Sequence, residues 1–168
     1  GPLTGGDAIY GNAVKNAAQI AVDEINALGG IQFELNMQDD EGDPEKAANA
    51  YNKLKDWGMQ LSLVSVTTKP AEATSVNHNE DRIFGLTSAS SMAVTEGKDN
   101  VYQMCFTDPG QGTASADYIA EQGLGEKIAI IYKNDDTYST GIYEKFVAEA
   151  EAKGLNIVST GTFTTSSQ

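Results

Sequence analysis

The chain has little from which to assemble a reaction. Its 168 residues include one cysteine, Cys105, and one histidine, His78. A lone cysteine excludes an intrachain disulfide framework and a cysteine-rich zinc site, and a lone histidine excludes a two-histidine metal site and most nucleophile–base triads. Basic residues are scarce as well: 11 Lys and Arg stand against 24 Asp and Glu, a net charge of −13. Phosphate backbones and anionic membranes would be repelled, so nucleic acid is excluded as a partner. There is no Gly-x-Gly-x-x-Gly, no phosphate loop ending in Gly-Lys-Ser or Gly-Lys-Thr, and no Gly-x-Ser-x-Gly elbow. No apolar run approaches a membrane span, and no signal peptide is visible. What is present, 40% hydrophobic residues and dispersed acids, suits the packed core and solvated faces of one ordinary domain or pieces of two.

Periodicity organises the rest. Val14, Ala17, Ala18, Ala21, Val22, Ile25 and Leu28 recur at helical spacing from position 10 or 11 to 28, and Gly29-Gly30 supplies the stop. Residues 31–37 read as a strand. Asp43-Pro44 is an N-cap followed by proline at the first helical position, opening a helix striped by Ala47, Ala50, Tyr51, Leu54 and Trp57 that Gly58 ends. A strand over 61–66, a helix over about 70–79 with His78 on its surface, and a strand over 83–86 follow. A short helix near 92–96 and a strand over 101–106, with Cys105 as an inert core thiol, come next. Asp108 reads as the cap of a further helix, with Pro109 at its first position and Gln111 placed to reach back. A strand at 128–132, a helix striped by Ile142, Phe146, Val147 and Ala150 that Gly154 ends, and a strand from 155 to 158 complete the order. Alternating helices and continuously apolar strands predict an α/β fold with a parallel sheet covered on both faces.

Chemistry concentrates where two of these strands break into hydroxyl residues. Val66-Thr67-Thr68-Lys69-Pro70 and Leu86-Thr87-Ser88-Ala89-Ser90-Ser91 each sit at the carboxyl end of a buried strand, the usual place for a ligand in this architecture. Such residues are ordinary helix caps, but exposed amides at a helix start bind carboxylate for the same reason they need a cap. Neither loop holds a nucleophile with a base or a metal ligand, so the pattern suggests binding without chemistry. Tyr10 and Tyr138 precede predicted helices in polar segments, where an aromatic either staples the helix or lines a pocket. The acid run Asp39-Asp40-Glu41-Gly42-Asp43 looks faintly like a calcium loop. Gly42 is misplaced for one and Ala50 stands where the last glutamate should be, so a strand-to-helix turn explains it better.

An ordered series of motifs then resembles the leucine/isoleucine/valine-binding protein family, the solute-binding components of ABC transporters. It runs from Gly1-Pro2-Leu3-Thr4-Gly5 and Tyr10-Gly11 through Ala21-Val22-Asp23-Glu24-Ile25-Asn26-Ala27-Leu28-Gly29-Gly30-Ile31 and Asp39-Asp40-Glu41-Gly42-Asp43-Pro44. It continues through Thr67-Thr68, Thr87-Ser88-Ala89-Ser90-Ser91, Cys105-Phe106-Thr107-Asp108-Pro109-Gly110-Gln111-Gly112, Ile128-Ala129-Ile130-Ile131-Tyr132 and Tyr138-Ser139-Thr140-Gly141. The resemblance implies a type I periplasmic-binding-protein fold in truncated form: a first α/β lobe over 1–106 lacking its first strand, then the beginning of a second lobe over 107–168. On that view Gly1-Pro2 is a native loop, not a protease scar. It implies a non-enzymatic protein with no cofactor and no metal, extracytoplasmic, periplasmic or lipid-anchored, made as a precursor with a signal peptide. The protein would capture an amino acid between its lobes by hinge closure and deliver it to a membrane permease. A sensor or receptor ectodomain of the same fold is the alternative. Carried over by residue, Thr68 holds the ligand carboxylate, the Ala89 carbonyl accepts from its ammonium, and Ser91 contacts the same head group; Thr67 and Ser90 beside them are counted among the ligand-binding residues. Tyr10 is an aromatic wall and Tyr138 a second-lobe aromatic that closes over the ligand. The family's second-lobe acid would lie beyond Gln168.

Overall fold

A computed structural model describes residues 1–167. It is an α/β protein whose chain forms two compact units, the first of residues 1–89 and 93–104, the second of residues 90–92 and those from Cys105 onward.

In the first unit, helix α1 spans Ala8–Ala27 and helix α2 spans Pro44–Trp57. The Asp43 carboxylate accepts from the N–H groups of Glu45 and Lys46, both at 2.9 Å, a cap contributing about 1 kcal/mol. Strand β1 (Leu61–Leu63), helix α3 (Thr68–Asp81), strand β2 (Phe84–Thr87) and strand β3 (Val101–Gln103) follow, with a 3-10 turn at Met92–Val94. The three strands are parallel in the order β1-β2-β3, with Ser62 beside Gly85 and Leu86 beside Tyr102. Val64, Ala71, Ala89, Val94 and Val101 form the buried apolar core. Gly85 leaves room at the sheet centre for Val64, since a Cβ there would lie 2.9 Å from Val64 Cγ2 and force that side chain to shift.

The second unit orders helix α4 (Asp108–Gln122), strand β4 (Lys127–Lys133), helix α5 (Thr137–Ala152) and strand β5 (Asn156–Phe163), with β4 and β5 parallel. Its two helices meet backbone to backbone. A Cβ on Gly112 would stand 2.4 Å from the Ile142 carbonyl oxygen and 2.7 Å from the Phe146 nitrogen, and Ala116 and Ala150 are fully buried.

Several expectations are corrected. Residues 31–37 form no strand; in the first unit β1 is the outermost strand among the described residues, and the chain near 38 bonds to Gly1. A strand is a relationship between neighbours, and apolar sequence alone does not supply one. The strand expected over 61–66 ends at Leu63, and that expected over 101–106 ends at Gln103, while β5 runs on to Phe163. Cys105 is half-buried, not a core thiol, and Met104 and Phe106 beside it are exposed. Helix α4 is capped by Thr107, whose hydroxyl accepts from the Gly110 N–H at 3.2 Å; Asp108 is its buried first residue. His78 is buried too, 2% exposed, with its ring centroid 4.7 Å from that of Tyr51 in an edge-on arrangement.

Candidate functional site

The start of α3 is built differently from that of α2. Thr67 is the N-cap, in extended conformation, and its carbonyl accepts the Ala71 N–H at 3.0 Å. Its hydroxyl makes no capping hydrogen bond, and Thr67 Oγ1 is buried without a partner among the described residues. Thr68, itself buried, shows no hydrogen bond through its hydroxyl among the described residues. A helix start without a side-chain cap keeps its partial positive charge available to an anion.

Two acids hold the neighbouring loops. Asp39 accepts from the N–H of Leu3 at 2.8 Å, the N–H of Thr4 at 3.3 Å, the Thr4 hydroxyl at 2.6 Å and the Glu41 N–H at 3.0 Å. These bonds, the Thr4 hydroxyl foremost, draw its carboxyl down to about 2. Asp40, buried, accepts from the Ser65 hydroxyl and from the Gly42 N–H at 2.9 Å. The acid run is thus a set of turn and cap acceptors. At the other strand end, the Ala89 N–H donates to Thr87 Oγ1 at 3.0 Å, and the Ala89 carbonyl accepts from Gln103 Nε2 at 2.7 Å. One lone pair of that carbonyl is therefore already engaged inside the protein. Tyr10 lies in the first turn of α1, 60% exposed.

The second unit holds the remaining candidates. The Ser90 hydroxyl donates to the buried Asp108 carboxylate, and the Asp108 N–H returns a bond to the Ser90 carbonyl at 3.0 Å. Gln111 Nε2 donates to the same carboxylate at 3.4 Å, and the Tyr138 hydroxyl donates to Gln111 Oε1 at 3.3 Å. Ser90 and Tyr138 are thereby the ends of one polar chain through Asp108 and Gln111, while Ser91 is buried beside Ser90 in sequence. Tyr138 sits in the first turn of α5, not ahead of it. The structure thus groups Tyr10, Thr67, Thr68 and Ala89 in one unit and Ser90, Ser91 and Tyr138 in the other. Gln103 and the link from Gln111 to Tyr138 were not anticipated; Gln103 at the carboxyl end of β3 carries the same strand-end signal as the hydroxyl loops.

Parallel strands that end in hydroxyl loops place these residues where an α/β sheet usually receives a ligand, and comparison with known proteins shows the family. The chain belongs to the periplasmic binding protein family, whose description, "Periplasmic binding protein", attaches to a model matching residues 1–168. It is 35% identical over 162 residues to the Leu/Ile/Val-binding protein BraC3 of Rhizobium johnstonii, covering 94% of this chain and 44% of that protein. It is 32% identical over 167 residues to an amino acid binding protein of Pseudomonas aeruginosa, again 94% of this chain and 44% of that one. Among solved structures it resembles the branched-chain amino acid transporter substrate binding protein LivJ of Streptococcus pneumoniae, solved with isoleucine. The TM-score is 0.90 and the identity 27%, over 98% of this chain and 48% of that one. The chain therefore spans about half the length of the relatives it matches.

Proposed function

We propose that this chain is part of an extracytoplasmic solute-binding component of an ABC transporter, and that its ligand is a branched-chain or similar small amino acid. The observation that supports this most is the start of α3, where the buried Thr67 hydroxyl makes no capping bond and has no partner among the described residues, with the buried Thr68 beside it. That arrangement suits a carboxylate, and relatives carrying the name Leu/Ile/Val-binding protein match across nearly the whole chain. Thr68 holds the ligand carboxylate. The second lone pair of the Ala89 carbonyl accepts from the ammonium, Ser91 braces the head group, and Tyr10 and Tyr138 flank the side chain. Ser90 acts at one remove by holding Asp108. In the whole protein, residues 1–106 belong to one lobe and 107–168 open a second, and the ligand stabilises a closed arrangement that delivers it to a membrane permease. No step of this needs a nucleophile, a metal or a cofactor.

Titration calorimetry of the full-length protein with leucine, isoleucine and valine, beside lysine and glutamate as controls, tests the reading. Saturable heat with the branched-chain set is expected. Absence of binding by every amino acid tried, in a protein shown to be folded, would overturn it.

A further inference from the structure

A run of buried hydrogen bonds ties together the carboxyl ends of the three strands of the first unit. Asp40, 1% exposed, accepts from the hydroxyl of Ser65, which follows β1. The Ser65 carbonyl accepts from Oγ1 of Thr87, the fully buried last residue of β2, at 3.4 Å. Thr87 Oγ1 in turn accepts the Ala89 N–H at 3.0 Å. The run closes on β3, whose last residue, Gln103, donates from Nε2 to the Ala89 carbonyl at 2.7 Å.

Each partner in this run can play one part only. A carbonyl accepts and never donates, so the Ser65 carbonyl takes the single proton of the Thr87 hydroxyl and leaves its lone pairs for the Ala89 N–H. By the same rule it is the NH2 end of the Gln103 amide that faces Ala89. The Ala89 methyl packs in the apolar core with Val64, Val94 and Val101. The backbone at Ala89 is therefore held at three points: methyl, N–H and carbonyl. The first two do not aim the carbonyl, since apolar packing has no direction and the Thr87 bond spans only two residues. Gln103 reaches it from a neighbouring strand, 14 residues away in sequence, and sets where it points. That bond takes one lone pair and leaves the other in a fixed direction. An acceptor held in this way needs no reordering when a donor arrives, and so binds it more tightly than a loose one.

We propose that Gln103 is a positioning residue of the binding site: by anchoring the Ala89 carbonyl it holds the remaining lone pair ready for the ammonium of an amino-acid ligand. The role rests on the function proposed above, in which Ala89 is the ammonium acceptor. Gln103 acts through Ala89 alone, and its neutral amide supplies direction without charge.

The test is titration calorimetry of the full-length protein, wild type beside Gln103→Met and Gln103→Glu, at pH 7.5 and at pH 5. The ligand is whichever of leucine, isoleucine, valine, lysine and glutamate the wild type binds most tightly. Methionine has a similar length and no donor. Glutamate has none while ionised and regains one when protonated, and a facing carbonyl raises its pKa. Relative to wild type, affinity at pH 7.5 should fall about tenfold or more in both variants, as a bond to a charged group is misdirected. At pH 5 the deficit of Gln103→Met should be unchanged, and that of Gln103→Glu should shrink about threefold or more as the glutamate takes up its proton. A merely structural role would weaken both variants without that pH dependence, and circular dichroism melts report the fold separately. If Gln103→Met does not fold, the pH dependence of Gln103→Glu decides alone. Wild-type affinity in Gln103→Met, a Gln103→Glu deficit as large at pH 5 as at pH 7.5, or tighter binding by Gln103→Glu at pH 7.5 would overturn the proposal and leave the proposed function standing. A folded wild type that binds no amino acid would overturn the proposed function, and this role with it.

Discussion

Gly11 lies so close to Pro2 that a Cβ at position 11 would stand 1.7 Å from the Pro2 carbonyl oxygen. Helix α1 therefore rides directly on the backbone of the loop that Asp39 holds through Leu3 and Thr4.

The first prediction follows from that contact. Gly11→Ala must displace either the helix or the loop, since the obstructing atom is backbone and has no rotamer to change. Overpacking against backbone costs about 3 kcal/mol or more. Chemical denaturation followed by circular dichroism should show that loss, whereas Gly6→Ala, where a Cβ meets nothing within 4 Å, should be nearly neutral. Equal stability of the two variants would count against the packing described.

Gly112→Ala is the corresponding prediction for the second unit. The Cβ would meet the Ile142 oxygen and the Phe146 nitrogen, both backbone atoms of α5. Separation of α4 from α5 should cost about 1–3 kcal/mol. Its signature is faster hydrogen exchange over α4 and α5 with little change over α2 and α3.

The limits of the sequence are instructive in α3. Its buried face is Ala71, Thr74, Ser75 and His78, a helical spacing with almost no hydrophobic signal. Each polar member bonds to its own helix: Thr74 Oγ1 donates to the Pro70 carbonyl at 3.0 Å, Ser75 Oγ to the Glu72 carbonyl at 3.0 Å, and His78 Nδ1 to the Thr74 carbonyl at 2.7 Å. Polar residues that bond to their own helix can be buried cheaply, which is why His78 reads as a surface residue and is not. By contrast, α2 was legible from its cap, its stripe and Gly58, because those signals are local. The strand expected over 31–37 depends on a neighbour, and the cap of α4 differs by one residue because Asp108 is engaged with Ser90, a long-range contact. The hydroxyl loops were legible as strand ends, but the commitment of Ser90 to Asp108 and of the Ala89 carbonyl to Gln103 was not.

Burial of His78 carries a pH dependence. Desolvation holds its pKa below the usual value of 6.5, against a smaller opposing effect of the bond to Thr74. The carbonyl of Thr74 can only accept, so Nδ1 bears the proton of the neutral ring and Nε2 is the atom left without a partner. With the folded pKa depressed, the unfolded chain binds the extra proton first. Stability should be full above about pH 6.5 and fall as pH drops below it, levelling once the folded form also protonates. Melting temperatures measured from pH 7.5 to 5 should show this fall, and His78→Leu should flatten it. A slope unchanged in that variant would assign the effect to other groups.

Thr68 and Ser90, both buried hydroxyl residues at strand ends, should respond in opposite ways to the same truncation. Ser90→Ala removes a donor to the buried Asp108 carboxylate, so it should lower stability by about 1–3 kcal/mol. Thr68→Ala removes a hydroxyl with no hydrogen bond inside the protein, so stability should change little. If that hydroxyl meets a ligand carboxylate, the loss falls on binding: about 1.5–3 kcal/mol for a bond to a charged group, or roughly 10- to 150-fold in affinity. Ser91→Ala should likewise weaken binding. Calorimetric titration with leucine beside thermal melts of each variant separates the cases. Affinity unchanged in both Thr68→Ala and Ser91→Ala would remove the head-group assignment, and a large stability loss in Thr68→Ala would make its hydroxyl structural.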